Sequence, residues 1–169
     1  MKKITISVAL LFTTLVLSAQ QNSFGLLKFT IPGSWQEQSR QEVVAYEGTV
    51  PELNIPLEIR VYLNQNAGVK PDSSFKMQWQ NIMTVYGNPA IPFVKKRYAS
   101  SGLQVAINQA TPVEINTGNG KQHTQLVVFM VEKQTQAIQF ITTNLSDFKL
   151  LRPFIDDFIE NVDTIAKRD

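Results

Sequence analysis

Six consecutive residues, Leu126-Val127-Val128-Phe129-Met130-Val131, are apolar on both parities. Successive side chains of a strand point to opposite faces, so a strand built from this run has no face left for water. It needs a packed layer on each side. After a polar turn at Glu132–Thr135, Ala137–Thr143 returns as its hairpin partner. A chain with such a hairpin at its centre folds as a covered sheet.

Two amphipathic segments supply the cover. Phe75, Trp79, Ile82, Met83 and Tyr86 recur at spacings of three and four, which predicts one apolar helix face. Asp72 is placed to cap this helix, Gly87 to stop it, and Pro89 to prevent its resumption. Near the C-terminus, Leu150, Leu151, Phe154, Ile155, Phe158, Ile159 and Val162 form a second inner face, in a segment opened by Ser146 or Asp147. Proline is unsuited to a helix interior, so the reading divides this segment into a short turn to Arg152 and a main helix from Pro153.

The remaining pattern is strand and turn. A polar lead-in at Gln20–Ser23 precedes a strand at Leu26–Ile31, which Pro32 ends. A second strand, Glu42–Glu47, closes at Gly48. Ile55, Leu57, Ile59, Val61 and Leu63 then alternate with Pro56, Glu58, Arg60 and Tyr62, the period of a strand buried on one side. Asn64–Pro71 reads as a loop, Ile91–Ala99 fits no single pattern, and Ser101-Gly102 is a turn before the alternation Leu103, Val105, Ile107. Val113–Asn116 is a short extension, and Thr117-Gly118-Asn119-Gly120 is a hairpin signal because glycine and asparagine tolerate positive φ. The predicted fold class is α+β, a central antiparallel sheet of about six to seven strands flanked by helices on both faces.

Compartment follows from the first nineteen residues. Lys2 and Lys3 precede an apolar run from Ile4 to Leu17, and Ser18-Ala19 offers a small residue for cleavage before Gln20. This is the pattern of a secretory signal peptide, and its apolar run is shorter than a membrane span. The expected organisation is a signal peptide over residues 1–19 and a single domain over 20–169, exported to the periplasm or beyond the cell, with no transmembrane segment after cleavage. The sequence carries 16 basic and 14 acidic side chains, so loss of the two leader lysines removes the whole formal excess. That neutrality excludes an electrostatic case for nucleic acid. There is no cysteine, hence no disulfide framework, thiol nucleophile or zinc-thiolate site.

One stretch carries a resemblance. Phe29, Ile31, Pro32, Gly33 and Trp35 form Phe-x-Ile-Pro-Gly-x-Trp, a strand forced into a turn with an indole to pin it. With the signal peptide, the mid-chain helix, the meander and the closing helix, this is similar to PsbP-like domains over about residues 24–162. The resemblance implies an α/β/α sandwich whose members chiefly bind other proteins, with no catalytic motif to carry over.

The chemistry-bearing residues agree with that expectation. His123 is the sole histidine and lacks a Gly-x-Ser-x-Gly partner, so it reads as a structural residue near the sheet rim. Asp156, Asp157 and Glu160 share one side of a helix, where they are a solvated acidic face rather than carboxylates opposed across a cleft. Lys95, Lys96, Arg97 and Tyr98 form a basic cluster that suits an edge strand guarded against sheet-to-sheet pairing. Gly118-Asn119-Gly120-Lys121 lacks phosphate-loop spacing, and Asn144-Leu145-Ser146 is a three-residue match to a glycosylation site. No catalytic, cofactor or metal residues are assigned. The function predicted is a non-catalytic binding or accessory protein of the cell envelope, with a protein or envelope component as partner. Lys95, Lys96, Arg97, Tyr98 and His123 are its candidate contact residues. The alternative is a small-ligand carrier or enzyme with a pocket between helix and sheet, lined by Trp79, Tyr86 and Tyr98.

Overall fold

The hairpin of Leu126 occupies the middle of a nine-stranded antiparallel sheet. This computed structural model describes residues 19–67, 71–98 and 105–165, so the expected signal peptide, save its last residue Ala19, and the turn at Ser101-Gly102 lie outside the described residues. The first half of the chain gives β1 (Ala19–Phe24), β2 (Leu27–Pro32), β3 (Gln36–Ser39), β4 (Val43–Val50), β5 (Ile55–Tyr62), β6 (Gln65–Asn66) and α1 (Pro71–Met83), whose end tightens into a 3-10 turn at Thr84–Tyr86. The second half gives β7 (Val94–Tyr98), β8 (Ala106–Ala110), β9 (Val113–Thr117), β10 (Gly120–Val131), β11 (Gln134–Thr142), α2 (Leu145–Glu160) and β12 (Asp163–Thr164). The large sheet runs β3-β4-β5-β11-β10-β8-β7, with β6 paired to β11 and β9 to β10. A separate three-stranded sheet runs β1-β2-β12.

Register explains the two-faced run. Val127 stands opposite Ile138 and Phe129 opposite Gln136. Val127 and Phe129 join a core with Ile138, Phe140, Ile59, Phe29 and the α2 residues Leu151, Ile155, Phe158 and Ile159. Leu126 and Val128 join a second core with Ala137, Ile115 and the α1 residues Phe75, Trp79, Ile82 and Met83. Alternate residues of one strand thus supply two different cores, as period-two geometry requires.

Several expectations change. The strand foreseen at Leu26–Ile31 is β2, but it belongs to the small sheet, and the polar lead-in before it is strand β1. Gln136 ties this hairpin to the large sheet: its Nε2 donates to the Phe24 carbonyl at 2.7 Å, and its Oε1 accepts the Leu26 N–H at 2.7 Å. Between those residues Gly25 has φ +60°, and a Cβ there would lie 2.7 Å from Gln136 Oε1. Both counts favour glycine: the left-handed φ costs it nothing, and a Cβ would push the Gln136 amide out of its bonds.

Gly48 does not close its strand but lies inside β4. A Cβ there would sit 2.6 Å from Cδ2 of Trp35, so the glycine is the seat on which the indole rests. Trp35 is 8% exposed, as the pinned-turn reading requires, and its backbone N–H donates to the Pro32 carbonyl across the turn. Its ring stacks on Phe154 at 6.2 Å.

The terminal helix is continuous, with Pro153 inside it. Proline removes the N–H that would bond the Lys149 carbonyl, and both residues are on exposed positions, where water can take that carbonyl. The helix also begins earlier than Ser146. Asn144 caps it, and Asp147 Oδ2 accepts from the Asn144 backbone N–H at 3.3 Å and from its Nδ2 at 3.2 Å. In α1, Asp72 falls in the first turn rather than before it, while Gly87 ends the helix with φ 84° as expected.

Candidate functional site

Two clefts flank α2. The larger, about 800 Å³, lies between α2, β2 and the turn that joins β4 to β5. Its walls are Pro32, Val50, Leu53, Leu150, Pro153 and Phe154. Leu150 belongs to the inner face by its helical spacing, yet it is 57% exposed, and Leu53 is 37% exposed. Leu150 is exposed because Leu151 takes the inward position of that turn. The charged side chains lining the cleft, Glu52 and Asp157, are both acidic.

The smaller cleft, about 370 Å³, opens on the other side of the helix, against β7, β8 and the loop after β8. Phe148 and Ile155 face it from α2, Leu145 and the 74% exposed Phe93 stand at its mouth, and Gln125 lies in its lining. Lys95, Lys149 and Arg152 give it a cationic rim.

Charge holds α2 on this second side. Arg97 Nη2 donates to Asp156 Oδ1 at 3.1 Å and to Gln109 Oε1 at 2.7 Å, with Glu160 at 3.9 Å from Nη1. Arg152 lies 3.6 Å from the same Asp156 carboxylate. The solvated acidic face expected at Asp156, Asp157 and Glu160 is therefore divided: Asp156 is half-buried and ion-paired to the sheet, while Asp157 turns to the larger cleft.

The basic cluster on β7 is divided too, because a strand sends neighbours to opposite faces. Lys96 pairs with Asp72 of α1 at 2.6 Å, whereas Arg97 pairs with α2. The backbone of Tyr98 pairs with Ala106 at the end of β7. His123 is half-exposed on β10, opposite Thr142 and Glu114, with Nδ1 3.3 Å from the Thr143 carbonyl. Glu114 bonds Lys121, which holds its carboxyl below the usual range. These residues lie on separate parts of the sheet and form no single constellation. Asn144 of the glycosylation-like triplet is engaged with Asp147.

Trp79 is buried in the α1 core, stacked on Phe75 at 6.0 Å, with Nε1 donating to the Pro89 carbonyl at 2.9 Å. Tyr86 receives a hydrogen bond from Arg60, whose other donor pairs with Glu58. Burial alone would lower the Arg60 pKa, but the bond to Glu58 and the charges of Glu58, Tyr86 and Tyr62 outweigh it and the net direction is upward. Tyr62 donates to Gln139 at 2.6 Å, and burial foremost, then Tyr86, raises its pKa. Across the sheet, burial and then Glu37 push Tyr46 up to about 12. Such phenols and a paired guanidinium keep fixed protonation near neutral pH, so they position groups rather than move protons. Among the described residues no three His, Cys, Asp or Glu are grouped to hold a metal, and no helix is long and apolar enough to cross a membrane.

Sequence reasoning missed both clefts. The available signal was Leu150, adjacent to Leu151 and so unable to share its direction on a helix.

No family model matches the chain, and comparison with characterised proteins returns no match. Solved structures do match. The solution structure of cyanobacterial PsbP (CyanoP) from Synechocystis sp. PCC 6803 superposes with a TM-score of 0.59 at 10% identity, over 90% of this chain and 96% of that one. The Ran-binding protein Mog1p of Saccharomyces cerevisiae gives 0.54 at 8% identity, over 87% and 95%. At such identities the likeness is one of architecture. The chain has a PsbP-like fold, mostly antiparallel sheet with two helices.

Proposed function

We propose that this protein is an exported, non-catalytic binding module of the cell envelope, which seats a segment of a partner protein in the larger cleft beside α2. One observation carries the reading: Leu53 and Leu150, brought together from distant parts of the chain, stand exposed on the walls of an open apolar cleft. Exposed apolar surface of this kind marks interaction sites, and about 800 Å³ lies within the range of specific pockets. The acidic rim of Glu52 and Asp157 selects a segment with a basic residue beside its apolar ones.

The wider architecture in this proposal is a sandwich, with α1 over one face of the large sheet and α2 with the small sheet over the other. Its support is the parity of β10, whose alternate side chains enter the α1 and α2 cores. Export rests on Lys2, Lys3 and the apolar run that follows them, with residues 20–169 acting as one domain in the periplasm or outside the cell. A Ran-binding protein among the structures of similar fold supports a role in protein recognition.

The test is crosslinking capture from native envelopes with three forms: the wild type, a Leu53→Asp/Leu150→Asp double variant, and a Val85→Asp control on the exposed 3-10 turn. We expect a partner retained by wild type and control, and at least about a tenfold loss with the double variant. Equal capture by all three forms removes this cleft from the function.

A further inference from the structure

We propose that the smaller cleft is a separate binding site for a small anionic amphiphile, a single aliphatic chain ending in a carboxylate. The site combines an apolar trough with fixed polar groups in the way small-ligand sites do. Phe148 and Ile155 are buried along it, Phe93 and Leu145 stand exposed at its mouth, and its volume of about 370 Å³ suits one short chain. Gln125, only 9% exposed, lines it and donates one amide hydrogen to the Ala110 carbonyl at 2.8 Å. A primary amide has a second N–H, and among the described residues it has no acceptor, which leaves one donor for a ligand oxygen.

Charge identifies the ligand's head. The carboxylate in the lining, Asp156, is already compensated by Arg97 and Arg152. Lys95 and Lys149 line the same cleft and have no ion pair among the described residues. Two ammonium groups beside a neutralised carboxylate favour an anion, and the trough beneath them favours an alkyl chain. A neutral lipid would leave both lysines unused, and a small anion would leave the apolar wall wet.

The probes are decanoate, decanol and acetate, titrated below micelle formation and followed by NMR at the Gln125 side-chain amide, Phe93 and Leu145. We expect saturable shifts with decanoate, binding weaker by about fivefold with decanol, and none with acetate. Lys149→Glu, on an exposed helical position, should weaken decanoate by about fivefold with an unchanged melting temperature. Leu150→Asp, across the helix, should leave decanoate binding intact, which separates this site from the larger cleft. Decanol binding as tightly as decanoate, acetate binding at the same residues, indifference to Lys149→Glu, or shifts centred on Leu150 and Phe154 would each overturn the assignment.

Discussion

The two flanks of α2 are built from different interactions. Toward the larger cleft the helix is held by rings: Phe154 stacks on Trp35, and Phe158 packs against Phe29 at 6.1 Å and edge-on to Phe140 at 5.6 Å. Toward the smaller cleft it is held by charge: Arg97 of β7 reaches Asp156 and Glu160. Apolar contacts draw on buried area and are insensitive to salt, whereas half-exposed ion pairs are screened and individually weak. The helix is thus anchored from one side and adjusted from the other, and the cleft proposed for protein docking stands on the anchored side.

The largest expected effect tests that anchor. Trp35→Ala leaves a cavity above Gly48 and strips the stacking partner from Phe154. Urea denaturation should show a loss of about 3–5 kcal/mol, the same at low and high salt. Part of that loss is offset because Trp35 Nε1 is buried with no partner among the described residues, so the lower half of the range is the closer expectation. A loss under about 1 kcal/mol would mean that the ring flank does not anchor α2.

Pro153 belongs to the same flank and has the opposite sign. It lines the larger cleft from inside a helix that would otherwise bond the Lys149 carbonyl. An interior proline costs about 3 kcal/mol, while its effect on the unfolded chain returns at most about 1 kcal/mol. Pro153→Ala should therefore raise stability by about 2 kcal/mol and reduce partner capture through the changed wall. If stability falls instead, the proline is a packing element and the reading of a helix strained for its cleft is wrong.

What the residues disclosed in advance follows the same division between local and tertiary causes. The two-faced run at Leu126 and the alternation from Ile55 were legible because burial repeats with strand period: Ile55, Leu57, Ile59 and Val61 are buried, while Leu63, past the end of β5, is 41% exposed. The small sheet was not legible: β1 is glutamine- and asparagine-rich, and what docks its hairpin is Gln136, 110 residues from Leu26. Gly48 has the signature of a strand end, and only the approach of Trp35 makes it a seat. The acidic triplet on α2 looks uniform in sequence, because nothing local tells that Arg97 on β7 reaches Asp156. Both clefts arise where elements far apart in the chain leave space between them, which no period records.

The smallest effect belongs to the charged flank. Arg97→Met removes the bonds to Asp156 and Gln109, but it also removes a buried Nε that has no partner among the described residues and a largely desolvated cation. Methionine keeps most of the apolar stem in place, and Asp156 retains Arg152 on its other oxygen. Breaking a charged hydrogen bond costs about 1.5–3 kcal/mol, and relief of the arginine's desolvation returns much of that, leaving about 1 kcal/mol or less. Salt separates this flank from the other. In the wild type the Arg97 contribution should shrink between low and high ionic strength, and in the variant that dependence should flatten. A loss as large as that of Trp35→Ala, or one indifferent to salt, would show that both flanks anchor the helix equally.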